Sequence, residues 1–563
     1  MGNSPRDDGK TVCLIMKIEQ LMQTKAVPTT LRGRKLSIAI NIVCCLSIFF
    51  FGYDQGMMSG VNNSPDYVRT MDLGHVIPPE TPGGQYSVNV TKPTKLGGIV
   101  AIYYFGTLWG AVLGGHVGDW WGRVNAVRIG CVWVMLGAAL QASAQNTNWM
   151  LCARIINGVG TGVLNVIVPV WSAETSDYTV RGMGIAIEFF LNIFGVVVAY
   201  WIEYGLSFAE QGNGSVRWRF PIAFQLVPLI LLAIFINFMP ESPRWLVSKG
   251  RDEDAKEVLL ALRDDNTLAE AEYQDIKVNA DEDHEIDTNF YKMILFPQGK
   301  LHISRRVWLA VWFQIIQEWV GIASVTVYQP TIFKQAGFSD NKANWLSGVN
   351  NICYMFSTLI AIFTVDRYGR RMLSYAGSVA QAIAMVFVGV FSYLAAKRDN
   401  PQFGAASASF VFIFTSAFGA TWLTVPWIYQ NEIWPVQIRA KGAGWGVVGW
   451  SIGNGWLMLL SPVMFDAIQE RTFYIFAGVN VGSIAMVYLL YPETANRTLE
   501  EIDWLFSADS VWNWAAEKAY LEESSKHANF TKAVHGGGKQ DLEKMILNKE
   551  HVEDMDHNDA SAE

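Results

Sequence analysis

Twelve apolar segments leave this chain few folds to choose from. They lie near residues 37–60, 96–117, 126–144, 150–172, 182–205, 219–239, 305–335, 344–365, 372–395, 408–432, 440–465 and 471–491. Crossing a bilayer core takes about 20 residues of helix, and each segment supplies that length. In hydrocarbon the backbone must satisfy its own hydrogen bonds, so such segments fold as helices packed on one another. Charged residues are 17% of the chain, against about 25% in soluble proteins, and the deficit runs along its length. The expected fold class is an all-α membrane protein with 12 transmembrane helices, not a soluble enzyme with an anchor. The polar start, "MGNSPRDDGK", and the long first apolar run read as tail and span, not as a cleavable signal.

The spans divide the chain. Residues 1–35 form an N-terminal tail, 36–239 a first six-helix half, 240–304 a polar linker, 305–491 a second half and 492–563 an acidic tail. Much of the net charge of −8 comes from the final "DLEKMILNKEHVEDMDHNDASAE", a solvated stretch that says little about partners. Basic residues flank the spans at Arg32, Arg34, Lys35, Arg123, Arg128, Arg367, Arg370, Arg371, Arg439 and Lys441. All fall on one side if both termini are cytoplasmic. The sequons at Asn89 and Asn213 then face outward and are expected to carry glycans. In the linker, "RDEDAKEVLLALRDD" and "TLAEAEYQDI" read as amphipathic helices, serving as a spacer or as a latch on the inner ends of the spans.

The six cysteines offer no disulfide framework and no metal spacing. No nucleophile–base spacing or phosphate loop is visible, so neither an enzyme nor a cofactor is expected.

The chain also repeats itself. "GDWWGR" at 118–123 answers to "VDRYGRR" at 365–371. Glu174 stands seven residues before Arg181, as Glu432 does before Arg439, and "PESPRWL" at Pro240 answers to "PETANRTLE" at Pro492. The offsets are 247, 258 and 252 residues. Two pseudo-symmetric six-helix halves with a ligand between them are a transporter's arrangement. Span 2 carries a glycine ladder, Gly106, Gly110, Gly114 and Gly118, that suits either sliding or static close packing.

These motifs, in this order over roughly residues 35–505, resemble the sugar porters of the major facilitator superfamily. "GYDQGMMSG", "RAKG" and "PETANRTLEEID" look most like fungal proton-coupled sugar and polyol carriers, including glycerol/proton symporters. The resemblance implies that Asp119, Arg123, Glu174 and Arg181 in the first half, and Asp366, Arg367, Arg370, Arg371, Glu432 and Arg439 in the second, hold the inner side shut. The bland alternative is topology marking by charge. Trp120 and Val124 replace basic residues of the pattern, so a thinner network is expected in the first half.

Asp54 lies deep in span 1, where a bare carboxylate costs several kcal/mol by most estimates. Arg154, about one turn into span 4, is the partner the resemblance implies. Burial and the arginine pull the acid's protonation in opposite directions, so small rearrangements can load and unload a proton. A permanent structural pair is the alternative, although buried pairs stabilise little for their cost.

The pocket departs from the family. In "WFQIIQEWVGIASVTVYQPTIF" only Gln317 and Tyr328 keep the expected amide and tyrosine; Glu318, Ala323 and Val327 depart from it. Glu188, Asn192, Tyr354, Trp427 and Asn454 complete the expected substrate-binding set. A pocket short of hexose partners and carrying two added acids fits a small polyol, a modified sugar-like metabolite, or acids acting as neutral amide mimics. The leading expectation is a proton-coupled symporter of a sugar or polyol in the plasma membrane. Its partners are a small-molecule substrate, the proton and the lipid bilayer, with no nucleic acid, and it acts as a monomer. An exporter of a sugar-derived metabolite and a transporter-like nutrient sensor are the alternatives.

Overall fold

Twelve helices of the computed structural model are long and apolar enough to cross a membrane. Spans 1–6 are Gly33–Val61, Pro93–Trp121, Arg123–Ala142, Thr147–Thr175, Ile187–Leu206 and Val216–Phe238. Spans 7–12 are Ile303–Gln335, Asp340–Tyr368, Arg370–Arg398, Pro401–Glu432, Lys441–Ala467 and Gln469–Leu490. The structure describes residues 27–79, 85–175, 181–281, 290–295, 302–398, 400–435, 438–495, 497, 499–508 and 510–536.

The bundle is apolar outside and polar within, as a lipid-solvated fold must be. Ile42 and Phe363 are 58% and 77% exposed, whereas Asn157, Thr161 and Gln314 are fully buried. Span 7 is broken: Gly321 takes a φ of 112°, Tyr328 leaves the helical region, and Pro330 follows. The break yields helices Ile303–Trp319 and Ile322–Gln335. It re-aims the side chains that follow it.

The glycine ladder of span 2 packs against span 4 of the same half. A Cβ at Gly106 would lie 2.5 Å from the Ile155 carbonyl oxygen, and one at Gly110 would collide with that of Val159. Gly158 and Gly162 on span 4 face the ladder in return. These contacts lie inside one half, so the ladder serves close packing there. The halves meet where span 2 runs along span 11, joined at mid-depth by the Thr107 and Ser451 hydroxyls, 2.7 Å apart. Spans 5 and 8 meet as well, with the Tyr200 hydroxyl donating to the Asn344 carbonyl at 2.9 Å.

The two faces of the bundle differ. One carries an antiparallel hairpin, Gly74–Ile77 with Ser87–Val90, on which Asn89 is exposed opposite His75. The other carries the linker, whose helices Asp252–Arg263 and Asn266–Asp281 are tied by Arg263–Glu272 and Lys277–Asp252 ion pairs at 2.6 and 2.9 Å. A third linker helix, Phe290–Leu295, stacks Phe290 on Trp445 of span 11 with centroids 4.3 Å apart, while His116 of span 2 lies 5.9 Å from the same ring. The linker thus touches both halves. Beyond span 12, helices Leu499–Leu505 and Asn513–Gly536 fold back, and Asp503 pairs with buried Arg306 at 2.7 Å. The acidic end, 541–563, lies outside the described residues.

Gly110→Ala forces a backbone collision costing about 1–3 kcal/mol, whereas a Cβ at Gly98 on the same helix meets nothing within 4 Å. Thermal unfolding in detergent is expected to show a midpoint several degrees lower for Gly110→Ala, with Gly98→Ala at or above the parent. Equal midpoints would refute the packing role.

Candidate functional site

Between the halves lies a cavity of about 570 Å³. Asn192 of span 5, Gln317 and Glu318 of span 7, Tyr354 of span 8, Trp427 of span 10 and Asn454 of span 11 all line it. The Gln317 amide donates to the Trp422 and Leu423 carbonyls, both at 2.9 Å, which tie span 7 to the break in span 10. The Asn192 amide donates to the Ile48 carbonyl at 3.3 Å and that of Asn454 to the Trp450 carbonyl at 3.1 Å.

Two expected residues stand elsewhere. Tyr328 turns away at the break in span 7, its hydroxyl donating to the Met458 carbonyl at 3.4 Å, so Val327 and Thr326 face the cavity instead. Glu188 lines a second, smaller cavity nearer the linker face and accepts from the Ser172 hydroxyl at 2.9 Å. Phe51, Phe189 and Trp427 border both cavities and stand between them. Phe189 lies 5.7 Å and Phe51 6.5 Å from Trp427, ring centre to ring centre.

Sequence reasoning missed Gln55, Tyr104 and Trp450, which also line the central cavity. Gln55 adjoins Asp54, and Trp450 precedes Asn454 by one helical turn. Helical spacing from those two polar residues was the available signal.

Asp54 is buried and neither of its carboxyl oxygens has a hydrogen-bond partner. Arg154, equally buried, does not pair with it in this conformation. The guanidinium instead lies 5.1 Å from the centre of the Tyr103 ring, and its Nη1 donates to Gln141 at 3.4 Å. The Tyr103 hydroxyl is itself unpartnered. Acid and arginine thus come to one tyrosine from spans 1 and 4.

The linker-face charges form two matched clusters. In the first half, Arg123 holds Glu174 by two bonds of 3.0 Å and reaches Asp119 at 3.5 Å. In the second, Arg370 pairs with Glu432 at 2.6 Å and Asp366 at 3.1 Å. The expected thinning of the first cluster does not occur. Two charges outside its motif fill it: Lys441 of span 11 reaches Asp119 at 3.3 Å, and Glu241 accepts from the Arg123 and Val124 amides at 2.8 and 3.1 Å. Glu493 does the same for the Arg370 and Arg371 amides at 2.9 and 3.0 Å. Each carboxylate caps a helix start, satisfying backbone donors that have no partner within the helix. Burial pushes the Glu241 carboxyl above its ordinary value against the pull of those amides.

Of the remaining expected gate residues, Arg367 is exposed beside Tyr368, Arg371 donates to the Tyr375 hydroxyl at 3.0 Å, and Arg439 is buried just ahead of span 11. The side chain of Arg181 lies outside the described residues.

Comparison with known proteins agrees with the twelve-helix fold. Residues 40–506 match the family described as "Sugar (and other) transporter". The MFS-type transporter oryC of Aspergillus oryzae is 32% identical over 84% of this chain and 86% of its own. The sugar transporter STL1 of Saccharomyces cerevisiae is 29% identical over 93% of this chain and 91% of its own. Among solved structures, the proton:xylose symporter XylE bound to 6-bromo-6-deoxy-D-glucose superposes with a TM-score of 0.70 at 24% identity. It covers 84% of this chain and 99% of its own.

The Asp119–Lys441 pair joins the two halves at the linker face. Lys441→Glu is expected to raise hydrogen exchange at the linker-face ends of spans 2 and 11 by about two- to fivefold, the scale of a partly exposed ion pair. The double swap Asp119→Lys/Lys441→Glu should restore protection. Unchanged exchange in the single variant would show that this pair does not hold the two halves together.

Proposed function

The chain belongs to the sugar porter family of the major facilitator superfamily, and from that premise we propose that it is a proton-coupled symporter of a sugar or polyol, with Asp54 and Arg154 as the coupling pair. It is a multi-pass membrane carrier and not an enzyme. The observation that carries the proposal is the Asp54 carboxyl, buried without a partner while Arg154 turns to Tyr103 and Gln141.

A lone carboxylate is expensive in such surroundings, and a proton removes the charge. With the proton bound, Arg154 is released. With the proton lost, the carboxylate draws the guanidinium back past Tyr103. The two arrangements differ in how spans 1 and 4 sit against each other, which is the coupling an alternating-access carrier needs. Asn192, Gln317, Glu318, Tyr354, Trp427 and Asn454 hold the substrate. Phe51, Phe189 and Trp427 separate it from the inner vestibule that contains Glu188.

The linker face is the cytoplasmic one, on the strength of its basic residues, and the Arg123 and Arg370 clusters close it, with Arg181, Arg367, Arg371 and Arg439 in support. Asn89, exposed on the opposite face, carries a glycan, as does Asn213. The carrier works as a monomer in the plasma membrane.

Cells lacking their own sugar carriers and expressing this chain supply the test. External pH is recorded as glycerol, other polyols and hexoses are added in turn. One solute is expected to alkalinise the medium. Asp54→Asn should abolish that signal and lower uphill accumulation at least about tenfold, while exchange of labelled for unlabelled solute across the membrane continues. Accumulation by Asp54→Asn equal to that of the parent would sink the proton-coupling assignment.

A further inference from the structure

We infer that the preferred substrate carries a protonated amine on its polyhydroxy body, with Glu318 as the counter-charge in the central cavity. The inference rests on the carrier reading above and concerns the chemistry of the same site.

Three observations lead to it. The first is charge. Glu318 is buried, lines the cavity beside the Asn454 and Trp450 side chains that hydrogen-bond it and, among the described residues, joins no ion pair; the residues lining that cavity include no lysine, arginine or histidine. A positive charge brought to a carboxylate in such a site is a partner that the protein itself does not supply.

The second is the sense of the hydrogen bonds on offer. Gln317 spends its amide donors on the Trp422 and Leu423 carbonyls, so its Oε1 is left as an acceptor, buried and without a hydrogen-bond partner. The amides of Asn192 and Asn454 likewise donate to main-chain carbonyls. A carbonyl can only accept, which fixes each of these amides with its oxygen free. These three amides thus offer acceptors, while the Tyr104, Thr326 and Tyr354 hydroxyls and the Gln55 amide supply donors on the same wall. An ammonium brings donors only and suits the acceptors and the acid together.

The third is the wall. Phe51, Tyr104, Phe189, Tyr354, Trp427 and Trp450 surround the acid, with Trp450 5.2 Å from Phe51 and 5.3 Å from Tyr104 between ring centres. Aromatic faces attract a cation once water is excluded, and rings grouped around one carboxylate form an ammonium cage. The amides and Thr326 remain for the hydroxyls of the body. An amino sugar or amino polyol satisfies all three observations together. A neutral hexose leaves the carboxylate without a counter-charge.

The experiment uses the full-length carrier in lipid nanodiscs at about pH 6, where such amines are protonated. Binding is followed by tryptophan fluorescence for two matched sets: glucose, glucosamine and N-acetylglucosamine; and sorbitol with 1-amino-1-deoxysorbitol. Each free amine should bind at least about tenfold tighter than its neutral partners, the scale of one desolvated cation–aromatic and charge-assisted contact. Glu318→Gln should erase that preference, bringing each free amine down to the binding of its neutral partners, whatever the change in neutral binding itself.

Amines that bind no tighter than their neutral partners overturn the inference and leave the sugar or polyol carrier standing. A Glu318→Gln protein that loses glucose and glucosamine equally overturns it as well. A folded carrier, shown by its melting transition, that binds none of the five overturns both readings. The comparison within the unmodified protein decides the matter even if the variant does not fold.

Discussion

A charge enclosed within a membrane bundle must have a partner, a proton or a polar cavity, because hydrocarbon offers it nothing. The buried charges of this chain sort by that constraint. Arg123 and Arg370 have partners, in bidentate or short ion pairs reinforced by neighbouring acids. Glu174 and Glu432 are those partners and gain second bonds in turn, such as the Thr494 hydroxyl donating to Glu432 at 2.7 Å. Asp54 has none of these, and Glu318 has a cavity. The fully partnered charges lie at one face of the protein. The incompletely partnered ones lie deeper, where a proton and a substrate would arrive.

The matched clusters show how one physical device is built twice. Gly122 and Gly369 both take positive φ, 91° and 82°, at the tight turns into spans 3 and 9. A Cβ at either would collide with the carboxylate that caps the next helix, Glu241 or Glu493. Glycine is therefore required there for its backbone and for its missing side chain at once. The turn, the arginine after it and the distant carboxylate form one unit. That unit underlies the repeated "GR" and "PE" dipeptides.

Much of this was legible in the sequence, for definable reasons. The spans could be read because crossing a bilayer sets a minimum apolar length, and each segment met it. The clusters could be read in outline because charges near span ends are few. Lys441 and Glu241 completed the first cluster from outside its motif, which no local pattern in "GDWWGR" discloses. The cavity was harder. Which residues face it depends on helix rotation, and that rotation changes at a break. Tyr328 follows the Gly321 turn and points toward span 11, so its match to the tyrosine of the family pattern does not bring it to the cavity. Glu188 was assigned by neighbourhood with Asn192. The two stand one helical turn apart, and that turn spans the ring of Phe189 that divides the cavities.

The same division bears on how the proton proposed for Asp54 would matter to a substrate it does not touch. Phe51, Asp54 and Gln55 all stand on span 1: a ring between the cavities, the buried carboxyl, and a wall of the central cavity. The back of that helix is Gly52 and Gly56, set against the Asn192 carbonyl and Val196 of span 5 so closely that any side chain there would collide. Gly195 of span 5 returns the contact against the Phe49 carbonyl. Backbones packed this tightly have no slack between them. In the proposed cycle a shift of span 1 would carry span 5 with it, and span 5 bears Asn192 in the central cavity and Phe189 between the two. Protonation, the ring barrier and part of the proposed substrate site would then be coupled through two helices held at backbone contact. No chain of side-chain relays is required.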